Sequence, residues 1–208
     1  MGTRHLIAVV IDGDFKIAQY GQWDGYPTGQ GASIANFLAE PGNVDRLRKT
    51  APKLRWATAE DFERVSAELD LPADGWMNME QAERYSKAYP ALTRDTGADI
   101  LRLVADETVS FVKDSRSFAQ DSLFCEWGYV IDLDNDVVEV YRGFQQDPHN
   151  EGRWGGMEPD NGYYPIKLVR TFPIAEFTEA AMSDLETEIY GADEDDSCRP
   201  RRAPRPSP

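Results

Sequence analysis

The chain has 208 residues, 41% of them hydrophobic and 28% charged, with 22 Lys and Arg against 37 Asp and Glu and a formal net charge of −15. That length holds one domain with a sizeable core. So acidic a balance argues against nucleic acid as a partner of the globular body, because backbone phosphates are bound by Lys and Arg. No apolar run approaches the roughly 20 residues that cross a bilayer, so no membrane partner is expected.

The first residues, MGTRHLIAVV, run directly into Asp12-Gly13 and read as a strand rather than a signal peptide. Thr3 to Ile11 and Phe15 to Trp23 are β-rich runs about that Asp-Gly pair, the favoured residues of a type I′ hairpin turn. Beyond Gly31 the spacing turns helical. Ile34, Phe37 and Leu38 form one stripe, and Val44 and Leu47 form another after Asn43, a candidate N-cap, with Pro41-Gly42 between. Phe62, Val65 and Leu69 follow a Thr58/Asp61 capping box; Asn78 and Gln81 cap a helix with Met79, Ala82 and Tyr89; Ile100, Leu101 and Val104 mark one more.

Period two returns with Trp127, Tyr129, Ile131 and Leu133, turns at Asp134-Asn135-Asp136 and continues at Val138 and Val140. A loop from Gly143 to Gly162 precedes a fifth strand at Tyr164, Ile166 and Leu168, and Ile174, Phe177, Ala181 and Leu185 predict a final helix. Leu6 to Ile11 is apolar throughout, as in a strand covered on both faces. The expected fold is α+β: a mainly antiparallel sheet, or two stacked sheets, covered by helices in the order ββ-helices-βββ-helix. Residues 1–190 make one globular domain. Residues 191–208, acidic and then rich in Arg and Pro, read as a disordered tail. Cys125 in an apolar segment and Cys198 in that tail give no disulfide framework, so a reducing, cytoplasmic setting is expected.

Candidate chemistry gathers at the open end of the first hairpin. Pairing back from Ile11 opposite Asp14 sets Ala8 against Ile17, Leu6 against Gln19, His5 against Tyr20 and Thr3 against Gln22. One face then carries Thr3, His5, Tyr20 and Gln22, and the other Arg4, Gln19 and Trp23. Hydroxyl, imidazole, phenol, amide and guanidinium so grouped suit directional binding or acid–base work. Asp24 and Tyr26 extend the set into the turn that follows. The glycines of QYGQWDGYPTGQG permit a tight strand-to-helix turn and could aim N–H groups at an anion, but no phosphate-loop lysine accompanies them.

Glu126, a carboxylate in a covered strand, must be paired or functional. Trp154 sits in a second loop of aromatic, amide and glycine character that could line the same pocket. Asp132, Asp134 and Asp136 imitate a calcium loop, but Val137 and Gly143 stand where its Gly and Glu belong, so they read as turn residues. No metal or cofactor is called for.

MGTRHLI, QYGQWDGYPTGQG and CEWGYVIDLDNDVVEVY resemble an uncharacterised family of phages, bacteria and fungi that brings no assigned activity. Gly2-Thr3, a strand, an Asp-Gly turn and IAQYGQ are also similar to the first hairpin of proteasome-type N-terminal nucleophile hydrolases. That resemblance implies an αββα sandwich with Thr3 as hydroxyl nucleophile, its own amine as the base. It departs in lacking a lysine near Gly31 to Asn36, in having its acid at the end of the second strand matched only by Asp24, several places late, and in needing cleavage after Gly2 to free the Thr3 amine. The favoured expectation is a small polar ligand or short peptide bound at the hairpin's open end, with Thr3 and His5 as candidate catalytic residues. The alternatives are an amide hydrolase using Thr3 and a phage-encoded module contacting a host protein in its cytoplasm.

Overall fold

The computed structural model describes residues 2–72, 75–159 and 161–197. The hairpin forms as expected: β1 (His5–Ile11) and β2 (Asp14–Gly21) flank Asp12 and Gly13, whose φ values of 56° and 74° are those of a type I′ turn. Its register differs. A bulge lets Val9 face Ile17 while Val10 faces Phe15, so Lys16 is an extra residue and every pair beyond moves by one. His5 therefore lies opposite Gly21, Leu6 opposite Tyr20 and Ile7 opposite Gln19. The shift exchanges Gln19 and Tyr20 between faces, placing Gln19 beside His5 and Tyr20 beside Arg4.

After the hairpin come α1 (Ala32–Ala39), α2 (Asn43–Thr50), β3 (Arg55–Trp56), α3 (Ala59–Glu68), α4 (Met79–Ala88), α5 (Asp99–Ala105) and β4 (Phe111–Val112). The capping boxes at Thr58/Asp61 and Asn78/Gln81 are both made. Asn43 is not the cap of α2. Gly42 holds that place at φ 81°, and the fully buried Asn43 side chain donates to the Phe37 carbonyl at 2.8 Å, tying α2 back to α1. The second hairpin is β5 (Trp127–Asp132) and β6 (Val137–Arg142), followed by β7 (Lys167–Pro173) and α6 (Glu179–Ser197). The last strand begins later than the alternation suggests, because Ile166 donates its N–H to Ala119 instead of to β6. The last helix likewise starts at Glu179, after a 3-10 turn over Ile174–Glu176, and continues through Ser197. Of the tail 191–208 expected to be disordered, residues 191–197 belong to this helix, and residues 198–208 lie outside the described residues.

The five long strands form one sheet in the order β2-β1-β5-β6-β7. It is antiparallel except where β1 runs parallel to β5, the contact that joins the two hairpins. Their tips are also joined, since the Asp134 carboxylate accepts the N–H groups of Asp12 and Gly13 at 2.8 Å each. β1 is central and wholly buried. Ile7, Val9, Tyr129 and Ile131 face a helical layer through Ile34, Leu47, Leu101 and Met182. Leu6, Ala8, Val10 and Val130 face the other way, onto Ala119, Cys125, Trp154 and Ile166. Each large apolar side chain so buried stabilises the fold by about 2 kcal/mol. Only one face is thus clothed by helices. The other is covered by a 3-10 turn and loops, so among the described residues no second stacked sheet forms as the hydrolase resemblance implies. β3 and β4 make a separate two-residue parallel ladder.

Candidate functional site

His5 is packed by its neighbours and faces no cavity among the described residues, while Gln22, Asp24 and Tyr26 are partly or wholly exposed. His5 is 1% exposed. A Cβ on Gly21 would lie 2.1 Å from its Nε2, and one on Gly25 would lie 2.8 Å from its Cβ, so these glycines are the two walls of the imidazole slot. Gly29 likewise lies against the Asp24 carbonyl, and Gly31 against Tyr129 and Met182. The glycines of this stretch serve close approach, and none of them has positive φ.

The N–H groups of this turn are also spent. Gly25 donates to Thr3, Gly29 and Gly31 to Tyr26, Gln30 to Asp24, and Thr28 to the Glu186 carboxylate at 2.7 Å. These N–H groups are therefore not free to hold an anion, and the glycines serve the turn itself. Neither nitrogen of His5 has a hydrogen-bond partner among the described residues. Burial lowers its pKa from 6.5 to about 4, against the smaller opposing effects of the Thr3 backbone and the Asp24 charge. It is a neutral imidazole at pH 7. The Thr3 hydroxyl makes no hydrogen bond with His5 or any other described residue, and Gly2 packs against the Trp23 ring.

On the other face Arg4 and Glu126 form a pair. The Glu126 carboxylate accepts the Arg4 N–H at 3.1 Å and lies 3.5 Å from Nε, while the guanidinium lies over Phe124, 4.7 Å from the ring centre. Glu126 is therefore paired, but it precedes β5 and is partly exposed instead of lying in a covered strand as expected. The Tyr20 hydroxyl donates to Gln22 Oε1 at 2.5 Å, Gln22 N–H to the Arg94 carbonyl at 2.9 Å, and Trp23 Nε1–H to Asp95 at 2.7 Å. Tyr26 Oη lies 3.3 Å from Asp24, whose charge holds the phenol above its usual pKa.

These bonds fasten the hairpin's end to residues 93–95, and there a cavity opens. It has a volume of about 490 Å³ and is lined by Gln19, Tyr20, Tyr85, Thr93, Arg94 and Lys113 among others. Gln19 is 3% exposed; its Nε2 donates to the carbonyls of Thr93 at 2.7 Å and Tyr20 at 3.3 Å. Those two acceptors fix the amide's orientation and leave Oε1 buried without a donor. Neither Arg94 nor Lys113 makes a side-chain ion pair or hydrogen bond with a described residue. Burial raises the pKa of Tyr20 and of Tyr85, so both hydroxyls stay protonated at neutral pH. The arrangement offers one buried acceptor, two cations and two phenols around a space of ligand size.

Tyr85, Arg94 and Lys113 escape sequence reasoning because they come from α4, a loop and the end of β4, three separate segments with no common spacing. The polar run Thr93-Arg94-Asp95-Thr96-Gly97 between helical stripes is the only local sign. Trp154 is not brought to the others. Its ring packs edge-on against Tyr141 at 4.8 Å and near Phe15 at 6.2 Å, beside the closed end of the first hairpin. The two Gly-rich loops therefore do not line one pocket. Asp132 accepts the N–H groups of Asp134 and Asn135 and pairs with Arg153, which accounts for the acidic turn without an ion. Comparison with known proteins gives no match: no family model fits the chain, and no curated protein or solved structure is similar to it.

Proposed function

We propose that this chain binds a small polar ligand or a short peptide in the cavity beside β2. The observation that supports the reading most strongly is the orphan Oε1 of Gln19. A buried carbonyl without a donor costs about 1–3 kcal/mol, and a ligand N–H entering the cavity would remove that cost. Arg94 and Lys113 would supply attraction for an anionic group on the same ligand. Tyr20 and Tyr85 offer flat apolar surface with a polar edge.

In this reading the site lies beside the outer edge of β2, next to the hairpin-end cluster of Thr3 and His5. Tyr20 and Gln19 belong to it, Gln22 and Trp23 hold its wall through Arg94 and Asp95, and His5 lies along the hairpin on the Gln19 face. Amide hydrolysis by Thr3 draws little support, since its hydroxyl has no base beside it and the nearby imidazole is sealed. A thermal-shift screen over amino acids, short peptides, nucleotides and sugars tests the binding reading. A stabilising compound should lose its effect in both Tyr85→Ala and Lys113→Ala. A screen without any shift, or a shift that survives both substitutions, would overturn it.

A further inference from the structure

The cavity does not end at Tyr20. A second, more open one of about 600 Å³ shares Tyr20, Lys113 and Ser115 with the first and continues past Arg4, Asp121 and Phe124. The two make one groove with Tyr20 at its waist. Its polar atoms have an unusual feature in common: Gln19 Oε1, Arg4 Nε and Asp121 Oδ1 are all buried and lack a hydrogen-bond partner among the described residues. Three unsatisfied groups along one groove, two acceptors and one donor, describe a ligand that donates and accepts along its length.

Charge gives the ligand a direction. In the first cavity Arg94 and Lys113 have no ion-pair partner among the described residues, while Asp95 is engaged by Trp23. In the second, Asp114 is held by Arg116 through several hydrogen bonds, and Asp121 keeps a buried oxygen free. Arg94 thus marks one end for an anion, Lys113 lies where the two cavities meet, and Asp121, beside the Glu126-paired Arg4, is the carboxylate without an ion-pair partner among the described residues toward the other end. A ligand with an anionic and a cationic end answers both Arg94 and Asp121, whereas a neutral sugar would leave the charges unanswered. Leu92 and Tyr85 add apolar wall to the anion-binding end.

Resting on the cavity reading above, we propose that the ligand is a short peptide with free termini, its carboxylate held by Arg94 and Lys113 and its amine by Asp121. Backbone N–H groups then reach Gln19 Oε1, and a backbone carbonyl accepts from Arg4 Nε. An apolar C-terminal side chain lies against Leu92 and Tyr85.

Calorimetric titration of the full chain with two tripeptides, alanyl-alanyl-leucine and alanyl-alanyl-phenylalanine, tests this in three forms: free, C-terminally amidated and N-acetylated. The free forms should bind, and each block should weaken binding about tenfold or more. The double variant Arg94→Gln with Lys113→Gln should erase the penalty for amidation alone, and Asp121→Asn the penalty for acetylation alone, with unchanged circular dichroism. Blocked peptides that bind as tightly as free ones, or free tripeptides that do not bind, would overturn the proposal. If the tripeptides fail but a nucleotide or sugar gives a thermal shift that Tyr85→Ala abolishes, the peptide assignment falls and the cavity remains. If no compound of any class binds, both fall.

Discussion

Acid should destabilise this protein above pH 4 chiefly through one side chain. His5 is neutral in the fold, with its pKa lowered from 6.5 to about 4. The unfolded chain therefore binds a proton that the folded chain refuses between those values. Stability is full above pH 6.5, falls as pH drops toward 4, and loses nothing further from this group below that. Each pH unit between the two pKa values is worth about 1.36 kcal/mol, so the whole effect is about 3 kcal/mol, of which about 2.5 kcal/mol is lost at pH 4.5. Leucine at this position fills a similar slot and does not titrate. Urea unfolding of the parent chain and His5→Leu, followed by tryptophan fluorescence at pH 7 and 4.5, isolates the histidine's contribution, because the carboxylates contribute equally to both. The variant's advantage should grow by about 2.5 kcal/mol between the two pH values. An advantage that changes by less than about 0.5 kcal/mol would refute the sealed, partnerless imidazole.

Gly21→Ala sets a methyl 2.1 Å from His5 Nε2 and should cost about 2–3 kcal/mol, a loss that the double variant with His5→Ala should partly reverse in the same unfolding assay. Asp134→Ala removes the acceptor of two N–H groups at the hairpin tip; a loss of about 1–2 kcal/mol is expected, with backbone amide exchange quickened at Asp12 and Gly13. The Cys125 thiol is fully buried and burial pushes its pKa well up, so a thiol reagent should modify it only as fast as the protein unfolds, read by mass spectrometry of the labelled peptides.

What the sequence made legible was local chemistry. Asp12-Gly13 named its own turn type, Thr58/Asp61 and Asn78/Gln81 named their caps, and the alternation Trp127, Tyr129, Ile131 named a strand face that does meet the helices. What it concealed was non-local. Phe15-Lys16-Ile17 gives no sign that Lys16 is a bulge residue, yet that bulge decides which face Gln19 and Tyr20 occupy. Nothing in His5 to Ile11 says that its other neighbour is β5 and runs parallel. The second face of the sheet was hidden for the same reason, being covered by loops around Ala119, Cys125 and Trp154 that carry no periodicity. The polar cluster at the hairpin's end stands out in the sequence as unusual. Its residues nonetheless divide, His5 and Thr3 into packing and Gln19 and Tyr20 into the cavity wall, and its remaining wall comes from Tyr85, Arg94 and Lys113, far away in sequence.

The cavity beside β2 as the site of a short peptide is tested most directly by heteronuclear NMR of the labelled chain titrated with the two free tripeptides. The largest shifts should fall on the Gln19 side-chain amide and on the backbone of Thr93, Lys113 and Asp121, residues of one groove from four segments. Shifts gathered instead at Thr3 or around Trp154, or a spectrum that does not change, would contradict it.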